Sequence, residues 1–251
     1  MKFFCKGQTI NDGISAVIKA LNPKKGIPIL EGIKLSAEGS VITLSATDLE
    51  LFIEKKIIAR ITEEGEIVVP GRFFADYIKK LSNIEEIQFE KEEGDMLSIK
   101  YGNSEGRIQC MDADTFPGNQ FMDENCYFEM EQREFKKLIE KVIFSVSTED
   151  ARPVLKGCYL EIGKDSISAV ALDGYRFGYI NKKIPLNNEC ISNIIVPARS
   201  LNEAIKILND TDDILRVNVQ KNMIMISTGD TKISTRLTEN EYIQYKKMEQ
   251  V

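Results

Sequence analysis

Histidine and tryptophan are both absent from this sequence of 251 residues. Without histidine, the chain lacks the usual general base at neutral pH and the commonest metal ligand, so Ser-His-Asp and Cys-His catalysis are excluded. Long apolar runs are also missing, since no stretch approaches the roughly 18 residues of a transmembrane helix. The N-terminal residues become polar too early for a signal peptide. We therefore expect a cytoplasmic protein with no membrane partner.

Cysteine is sparse and scattered. The five cysteines, at positions 5, 110, 126, 158 and 190, never have CxxC spacing. This spacing predicts neither a zinc site nor a thioredoxin-like redox pair. An odd, dispersed set is typical of reduced thiols, and no glycine-rich segment matches a phosphate-binding loop. We expect no cofactor and no metal.

The composition is that of a soluble globular chain, with 43% hydrophobic and 29% charged residues. Lysine and arginine number 33 against 39 acidic residues, which gives a net charge of −6. A chain with this balance is not basic overall. Any contact with nucleic acid must therefore come from a local basic surface.

The sequence contains an internal repeat. The segment PILEGIKL at 28–35 matches PVLKGCYL at 153–160 with an offset of 125 residues. The same offset pairs Asp48 with Asp173 and Phe52 with Phe177, and a two-residue insertion then aligns VPGR at 69–72 with VPAR at 196–199. The junction near residues 117–125 is rich in turn-forming residues. The repeat predicts two domains, residues 1–120 and residues 126–251.

Hydrophobic periodicity predicts the same elements in each copy. Two helices are expected in the first copy, at residues 8–21 and 72–81, and two in the second, at residues 133–146 and 199–208. Alternating apolar residues at 33–35, 41–46 and 51–61 predict strands, with a hairpin turn at 38–40. The expected fold class is α+β, a duplicated domain with two helices packed on antiparallel sheets in each copy.

The helical segments carry the positive charge. Residues 8–25, 72–82, 132–146 and 199–209 contain 12 basic and five acidic residues, a net charge of +7 that leaves −13 for the rest of the chain. If the helices share one side of the molecule, that side suits a phosphate backbone. No zinc finger, RNP-like aromatic run, basic zipper or helix-turn-helix accompanies this charge. Such contacts would position the protein on a duplex without selecting sequence.

Five ordered motifs resemble the bacterial DNA polymerase III beta subunit, the replicative sliding clamp. They are ATDLE at 46–50, VPGR at 69–72, MDADTFP at 111–117, RPVLKG at 152–157 and ALDGYRF at 171–177. The resemblance implies the DNA-clamp fold, a ring that encircles double-stranded DNA, and a non-enzymatic role as a processivity factor in DNA replication. The family has three such domains per chain and this sequence has two copies. We therefore expect either part of a longer clamp or a short homologue, and ring self-association if it is complete.

The resemblance also implies a pocket for short hydrophobic peptides. Its expected partners are the DNA polymerase III catalytic subunit, the clamp loader and other proteins with a clamp-binding motif. Matched motif by motif, the pocket falls on Arg152, Leu155, Leu172, Gly174, Tyr175, Arg176, Phe177, Ile243 and Met248. Apolar walls would hold aliphatic and aromatic anchors, and the two arginines would meet carboxylates or carbonyls.

The candidate DNA-binding residues lie on or next to the four predicted helices. They are Lys19, Lys24, Lys25, Arg72, Lys79, Lys80, Lys136, Lys137, Lys141, Arg199 and Lys206. Lys24 and Lys25 are favoured, because the resemblance places a DNA-touching basic loop after the first helix.

Two alternatives remain open at this point. A clamp relative that acts only as a protein-interaction module would bind peptides without closing a ring. A duplicated-domain enzyme would need a catalytic group, for which the recurring Asp48 and Asp173 are the candidates. Their recurrence in equivalent turns favours a structural role, in which each aspartate binds the local backbone.

Overall fold

The structure is a computed structural model that describes residues 1–22, 26–119, 126–149, 151–183 and 190–247. The chain divides into two compact units, one of residues 1–120 with 230–233 and the other of residues 121–229 with 234–251. Within the described residues there are four α-helices and 17 strands.

Elements up to residue 119 belong to the first unit. They are β1 (Lys2–Cys5), α1 (Gly7–Val17), β2 (Gly32–Glu38), β3 (Val41–Thr47), β4 (Leu51–Ile58), β5 (Arg60–Glu63), β6 (Gly65–Pro70), α2 (Gly71–Lys79), β7 (Ile87–Glu92), β8 (Met96–Tyr101) and β9 (Ser104–Gln109). The elements that follow are β10 (Tyr127–Glu131), α3 (Gln132–Glu140), β11 (Gly157–Ile162), β12 (Ser166–Leu172), β13 (Phe177–Lys183), β14 (Ser192–Pro197), α4 (Ala198–Ile207), β15 (Ile214–Val219), β16 (Met223–Thr228) and β17 (Thr231–Arg236).

The first unit contains two antiparallel sheets and a pair of helices. One sheet has the order β5-β1-β7-β8-β9, and the other contains β4-β3-β2-β6. Helix α1 contacts β3 and β4, helix α2 contacts β2 and β6, and the two helices contact each other. The predicted hairpin turn at 38–40 joins β2 to β3, whose register pairs Glu38 with Val41.

The second unit repeats this plan. Its sheet β13-β12-β11-β14 is antiparallel, and β10 pairs with β15, which pairs with β16. Helix α4 contacts β11 and β14, and helices α3 and α4 contact each other. The predicted α+β arrangement of two helices on antiparallel sheet is confirmed in each unit.

The helices form because one face of each is apolar. In α2, Phe74 and Ile78 are fully buried, whereas Arg72 and Lys79 are exposed. In the first unit the Phe74 ring meets the Phe89 ring edge-on at 6.2 Å, and Phe89 stacks on Phe3 at 4.7 Å. Burial of such side chains contributes about 1.5–3 kcal/mol each. Apolar burial therefore fixes which face of each helix points outward.

Two predicted boundaries differ from the structure. The helix expected at 133–146 ends at Glu140, because Val142 donates its N–H to Ile139 in a tighter turn and a short 3₁₀ segment follows at Ile143–Ser145. The strand expected at 51–61 is two strands, β4 and β5, which lie in different sheets. Between them the Ala59 N–H donates to the Ser40 carbonyl at 3.0 Å, the last hydrogen bond in the β3–β4 register, and β5 then pairs with β1.

Candidate functional site

The exposed face of α2 carries three of the candidate DNA-binding residues. Arg72 lies in the first turn, Lys79 is the last helical residue and Lys80 caps the helix. All three are exposed, and none has an ion-pair partner among the residues the structure describes. Lys19 lies in the short 3₁₀ turn after α1 and donates to the Ser15 carbonyl at 3.0 Å.

The helices of the second unit carry candidate DNA-binding residues, of which two are paired with glutamates. Lys137 pairs with Glu134 at 3.4 Å, and Lys206 pairs with Glu203 at 2.8 Å, each three residues apart on the same helix. Three further candidates lie nearby: Lys136 is half-buried, and Lys141 and Arg199 are exposed. Lys24 and Lys25 lie outside the described residues.

Five rings on the second unit form an aromatic cluster, made of Tyr159, Phe177, Tyr179, Tyr242 and Tyr245. Tyr159 stacks on Tyr242 with ring centroids 4.9 Å apart. Tyr245 lies 6.0 Å from Tyr159, 6.3 Å from Phe177 and 6.1 Å from Tyr179. Tyr245 is therefore the central ring of the cluster.

The cluster covers three of the candidate pocket residues. Leu155 and Leu172 are each only 3% exposed and pack with Val170 against Tyr245, and Ile243 lies against the same group. Strand register explains this grouping, because Tyr159 faces Val170 and Val170 faces Tyr179 across β11, β12 and β13. Leu155 and Leu172 thus form the floor beneath Tyr245, where we expected walls of an open groove.

Hydrogen bonds to Glu161 hold Tyr245 and its neighbour in place. Its hydroxyl donates to Glu161 at 2.6 Å, and the Lys246 ammonium donates to the other carboxylate oxygen at 2.7 Å. These two bonds, first that from Lys246, lower the pKa of Glu161 below its ordinary value. Burial, with the bond to Glu161, raises the pKa of Tyr245. The ionised carboxylate therefore fixes the segment that covers Leu155 and Leu172.

A tight turn places the remaining candidates at the edge of the cluster. Asp173 accepts the N–H of Tyr175 at 2.9 Å and that of Arg176 at 2.8 Å, and it also holds the Arg176 guanidinium. These bonds lower the pKa of Asp173 to about 2. Gly174 has φ +94° at the turn, a conformation that favours glycine.

The turn leaves aromatic surface exposed. Tyr175 is 97% exposed and Phe177 is 38% exposed. Arg152 is exposed just before the 3₁₀ segment Pro153–Lys156. The Arg176 guanidinium pairs with Asp173 at 2.7 Å and remains 55% exposed, so its contact with a partner stays a prediction. Met248 lies outside the described residues.

The first unit contains the equivalent turn, with a different residue. Asp48 is fully buried and accepts the N–H of Glu50 at 3.1 Å and that of Leu51 at 2.9 Å. Leu49 occupies the position of Gly174 with φ +76°. Both aspartates bind local backbone, as their recurrence predicted, and this arrangement favours the structural role over acid-base chemistry.

The sequence analysis missed four rings of the cluster, Tyr159, Tyr179, Tyr242 and Tyr245. Tyr179 follows Phe177 by two residues on β13, so strand alternation could have placed both rings on one face. Tyr245 follows Tyr242 by three residues in a short irregular segment, and no periodic pattern signals such a contact.

The expectation that all five cysteines are reduced is wrong for one pair. Cys126 and Cys190 form a disulfide across 64 residues of the second unit. Their sequence spacing matches no redox motif, so only the fold brings them together. The other three, Cys5, Cys110 and Cys158, are buried free thiols.

Two family models match the chain. The model of the N-terminal domain of the DNA polymerase III beta subunit matches residues 1–120, and the model of its central domain matches residues 129–244. The chain therefore belongs to the DNA polymerase III beta subunit family, whose members are sliding clamps and not enzymes. The predicted family resemblance is confirmed.

Curated proteins similar to this chain are named beta sliding clamps. The chain is 31% identical to the beta sliding clamp of Staphylococcus epidermidis over 96% of this chain and 66% of that one. It is 29% identical to the beta sliding clamp of Halalkalibacterium halodurans over 99% of this chain and 68% of that one. This chain thus spans about two thirds of the length of these curated relatives.

The fold is also that of solved clamps. The DNA polymerase sliding clamp of Bacillus subtilis matches with a TM-score of 0.94 and 26% identity, over 99% of this chain and 67% of that one. The predicted DNA-clamp fold is confirmed. Among the described residues, no helix is long and apolar enough to cross a membrane.

Proposed function

We propose that the chain is a DNA sliding clamp subunit, a processivity factor that encircles duplex DNA without sequence specificity. Its clamp domains would be residues 1–120 and 126–251. The observation that carries the proposal is the exposed positive charge on and next to the helices of each unit. Arg72, Lys79 and Lys80 in the first unit and Lys141 in the second have no ion-pair partner among the described residues. Unpaired cations release phosphate counterions on binding, which gives affinity without base readout.

The salt dependence of duplex binding tests this role. Replacing Arg72, Lys79, Lys80 and Lys141 together by Gln removes four side-chain charges from the helices. The steepness of log association constant against log salt concentration falls by about 0.9 for each phosphate that the protein no longer neutralises. If each of the four neutralises one phosphate, we expect a slope smaller by about 3.6 and an affinity lower by tenfold or more.

A matched control uses lysines outside the helices. Lys164 and Lys221 are exposed on turns of the second unit, and neither has an ion-pair partner among the described residues. The double variant Lys164→Gln and Lys221→Gln should leave both the slope and the affinity nearly unchanged. A loss in the double variant about half as large as that in the quadruple variant would show that binding follows total charge, and the helix cations would then have no special role.

We further propose that the aromatic cluster docks short apolar peptides of the replicative polymerase, the clamp loader and other clamp-binding proteins. Phe177 and Tyr179 lie side by side on β13 with rings 3° from parallel, and each remains about 40% exposed. An exposed apolar surface over a rigid sheet suits aliphatic and aromatic anchors.

Two alanine variants test the docking surface. Phe177→Ala removes an exposed ring of the cluster, and Phe144→Ala removes a ring that is 59% exposed elsewhere on the same unit. With a short labelled peptide that carries leucine and phenylalanine anchors, fluorescence anisotropy should show a tenfold or greater loss of affinity for Phe177→Ala alone. Equal affinities would remove the cluster from the docking role.

Self-association into a ring is tested by absolute mass in solution. Light scattering over a tenfold range of concentration should give a mass near three chains if two-domain subunits close a six-domain ring. A monomer at every concentration would favour the protein-interaction role over ring closure by this chain.

A further inference from the structure

The Cys126–Cys190 disulfide joins two edge strands of the second unit. Cys126 directly precedes β10, which among the described strands pairs with β15 alone at the end of its sheet, and the Cys126 carbonyl accepts the Val219 N–H at 2.9 Å. Cys190 lies just before β14, which pairs with β11 at the end of the other sheet and has no second partner strand in the part of the chain that the structure describes. An edge strand is hydrogen-bonded on one side, so its ends open more readily than those of a central strand.

We propose that this disulfide is a reversible, redox-sensitive cross-link that controls the opening of β10 and β14. When the bond is formed, the start of each edge strand is covalently tied to the other. When the bond is reduced, each strand start is held only by its single ladder. The structure thus assigns redox sensitivity to the second unit.

The exchange reaction balances with a small disulfide as the oxidant. One protein thiolate attacks the small disulfide, a sulfur–sulfur bond forms to that cysteine and one small thiol leaves. The second protein thiolate then attacks the mixed disulfide at the protein sulfur, forming Cys126–Cys190 and releasing the second small thiol. Two protein thiols are oxidised and one small disulfide is reduced to two thiols.

Exposure favours entry at Cys126. Cys126 is half-buried, whereas Cys190 is only 3% exposed. A small thiolate reducing the bond therefore reaches the Cys126 sulfur first, and Cys190 is the leaving group. Exchange rates depend on access as well as on thiolate fraction.

The remaining thiols provide an internal contrast. Burial raises the pKa of Cys5 and of Cys158 to about 12, and that of Cys110 to about 11. All three stay protonated at neutral pH and are shielded from a small disulfide. Redox exchange is therefore confined to a single pair.

Thiol counting and hydrogen exchange on the 251-residue protein test the proposal. After equilibration with excess oxidised glutathione and alkylation in denaturant, mass spectrometry should count three modified cysteines, against five after reduction. Reduction should speed amide exchange tenfold or more in β10 and β14 and leave β1 and β7 unchanged. Restoring the oxidised buffer should restore both results.

The double variant Cys126→Ser and Cys190→Ser serves as the control. Its exchange in β10 and β14 should match that of the reduced protein and should not respond to reductant. Five modified cysteines in the oxidised protein would overturn the proposal. So would an intact disulfide whose reduction leaves β10 and β14 unchanged, or a reductant response that persists in the double variant.

Discussion

The Tyr245 hydroxyl bond can be isolated with a single-atom deletion. Tyr245→Phe keeps the ring among Leu155, Val170 and Leu172 but removes the donor to Glu161, at 2.6 Å in the wild type. A hydrogen bond to a charged group contributes about 1.5–3 kcal/mol. Lys246 still binds Glu161 in the variant, and the Glu161 side chain is 29% exposed, so we expect the lower end of this range.

The assay is urea unfolding followed by the near-UV circular dichroism of the tyrosines. A loss of about 1.5 kcal/mol lowers the midpoint by about 0.8 M for an m-value near 2 kcal/mol/M. Tyr242→Phe is the matched control, because its hydroxyl is buried without a hydrogen-bond partner among the described residues. That variant should be neutral or slightly more stable.

The pH dependence gives a second check. The pKa of Glu161 is lowered in the folded protein, so the stability that its ionised form contributes is complete above the ordinary value of 4.5 and disappears as pH falls through the lowered one. The difference between Tyr245→Phe and wild type should therefore be largest at neutral pH and shrink below about pH 4. Equal losses in both phenylalanine variants, or a difference independent of pH, would refute the role of the carboxylate.

Two further predictions concern the paired turns. Gly174→Ala should destabilise the protein by about 1 kcal/mol, because alanine is strained at positive φ, whereas Leu49→Gly should stabilise it by up to about 1 kcal/mol by relieving the same strain. Both effects are measured as shifts of the urea midpoint, and shifts of the same sign would contradict this reasoning. Asp48→Ala should lower the free energy of unfolding by about 1–3 kcal/mol, because two backbone N–H groups lose their acceptor, whereas Asp48→Asn keeps an acceptor oxygen and should lose less. Thermal unfolding measures both variants, and equal losses would exclude the backbone-binding role.

Much of the fold could be predicted from the sequence because its signals are local and repeated. The apolar faces of α2 and α4 follow helical spacing, and the buried Phe3 and Phe128 occupy equivalent positions at an offset of 125 residues. Where local and tertiary preferences compete, prediction failed. The apolar run at 51–61 continues past Ala59, but the chain changes sheet there because β5 pairs with β1.

The site was predicted only in part, for a similar reason. Leu155, Leu172 and Ile243 could be placed together by motif, because each belongs to a recognisable segment. Tyr245 and the Cys126–Cys190 disulfide depend on contacts between residues at least 64 positions apart, such as that between Tyr245 and Glu161. No composition or spacing rule encodes such contacts, and only the folded sheet brings these residues into reach.

The two copies differ at the surface where the second is proposed to bind peptides. Phe52 and Phe177 are equivalent positions on β4 and β13, yet Phe52 is 8% exposed and Phe177 is 38% exposed. In the first unit Phe116 packs against Phe52 with Val68 and Ala113 and fills the site from within the chain. The second unit keeps the framework and leaves rings uncovered on β13. Exposed aromatic surface lowers solubility unless a partner covers it. This difference between otherwise repeated units is therefore the best structural reason to place peptide docking on the second unit.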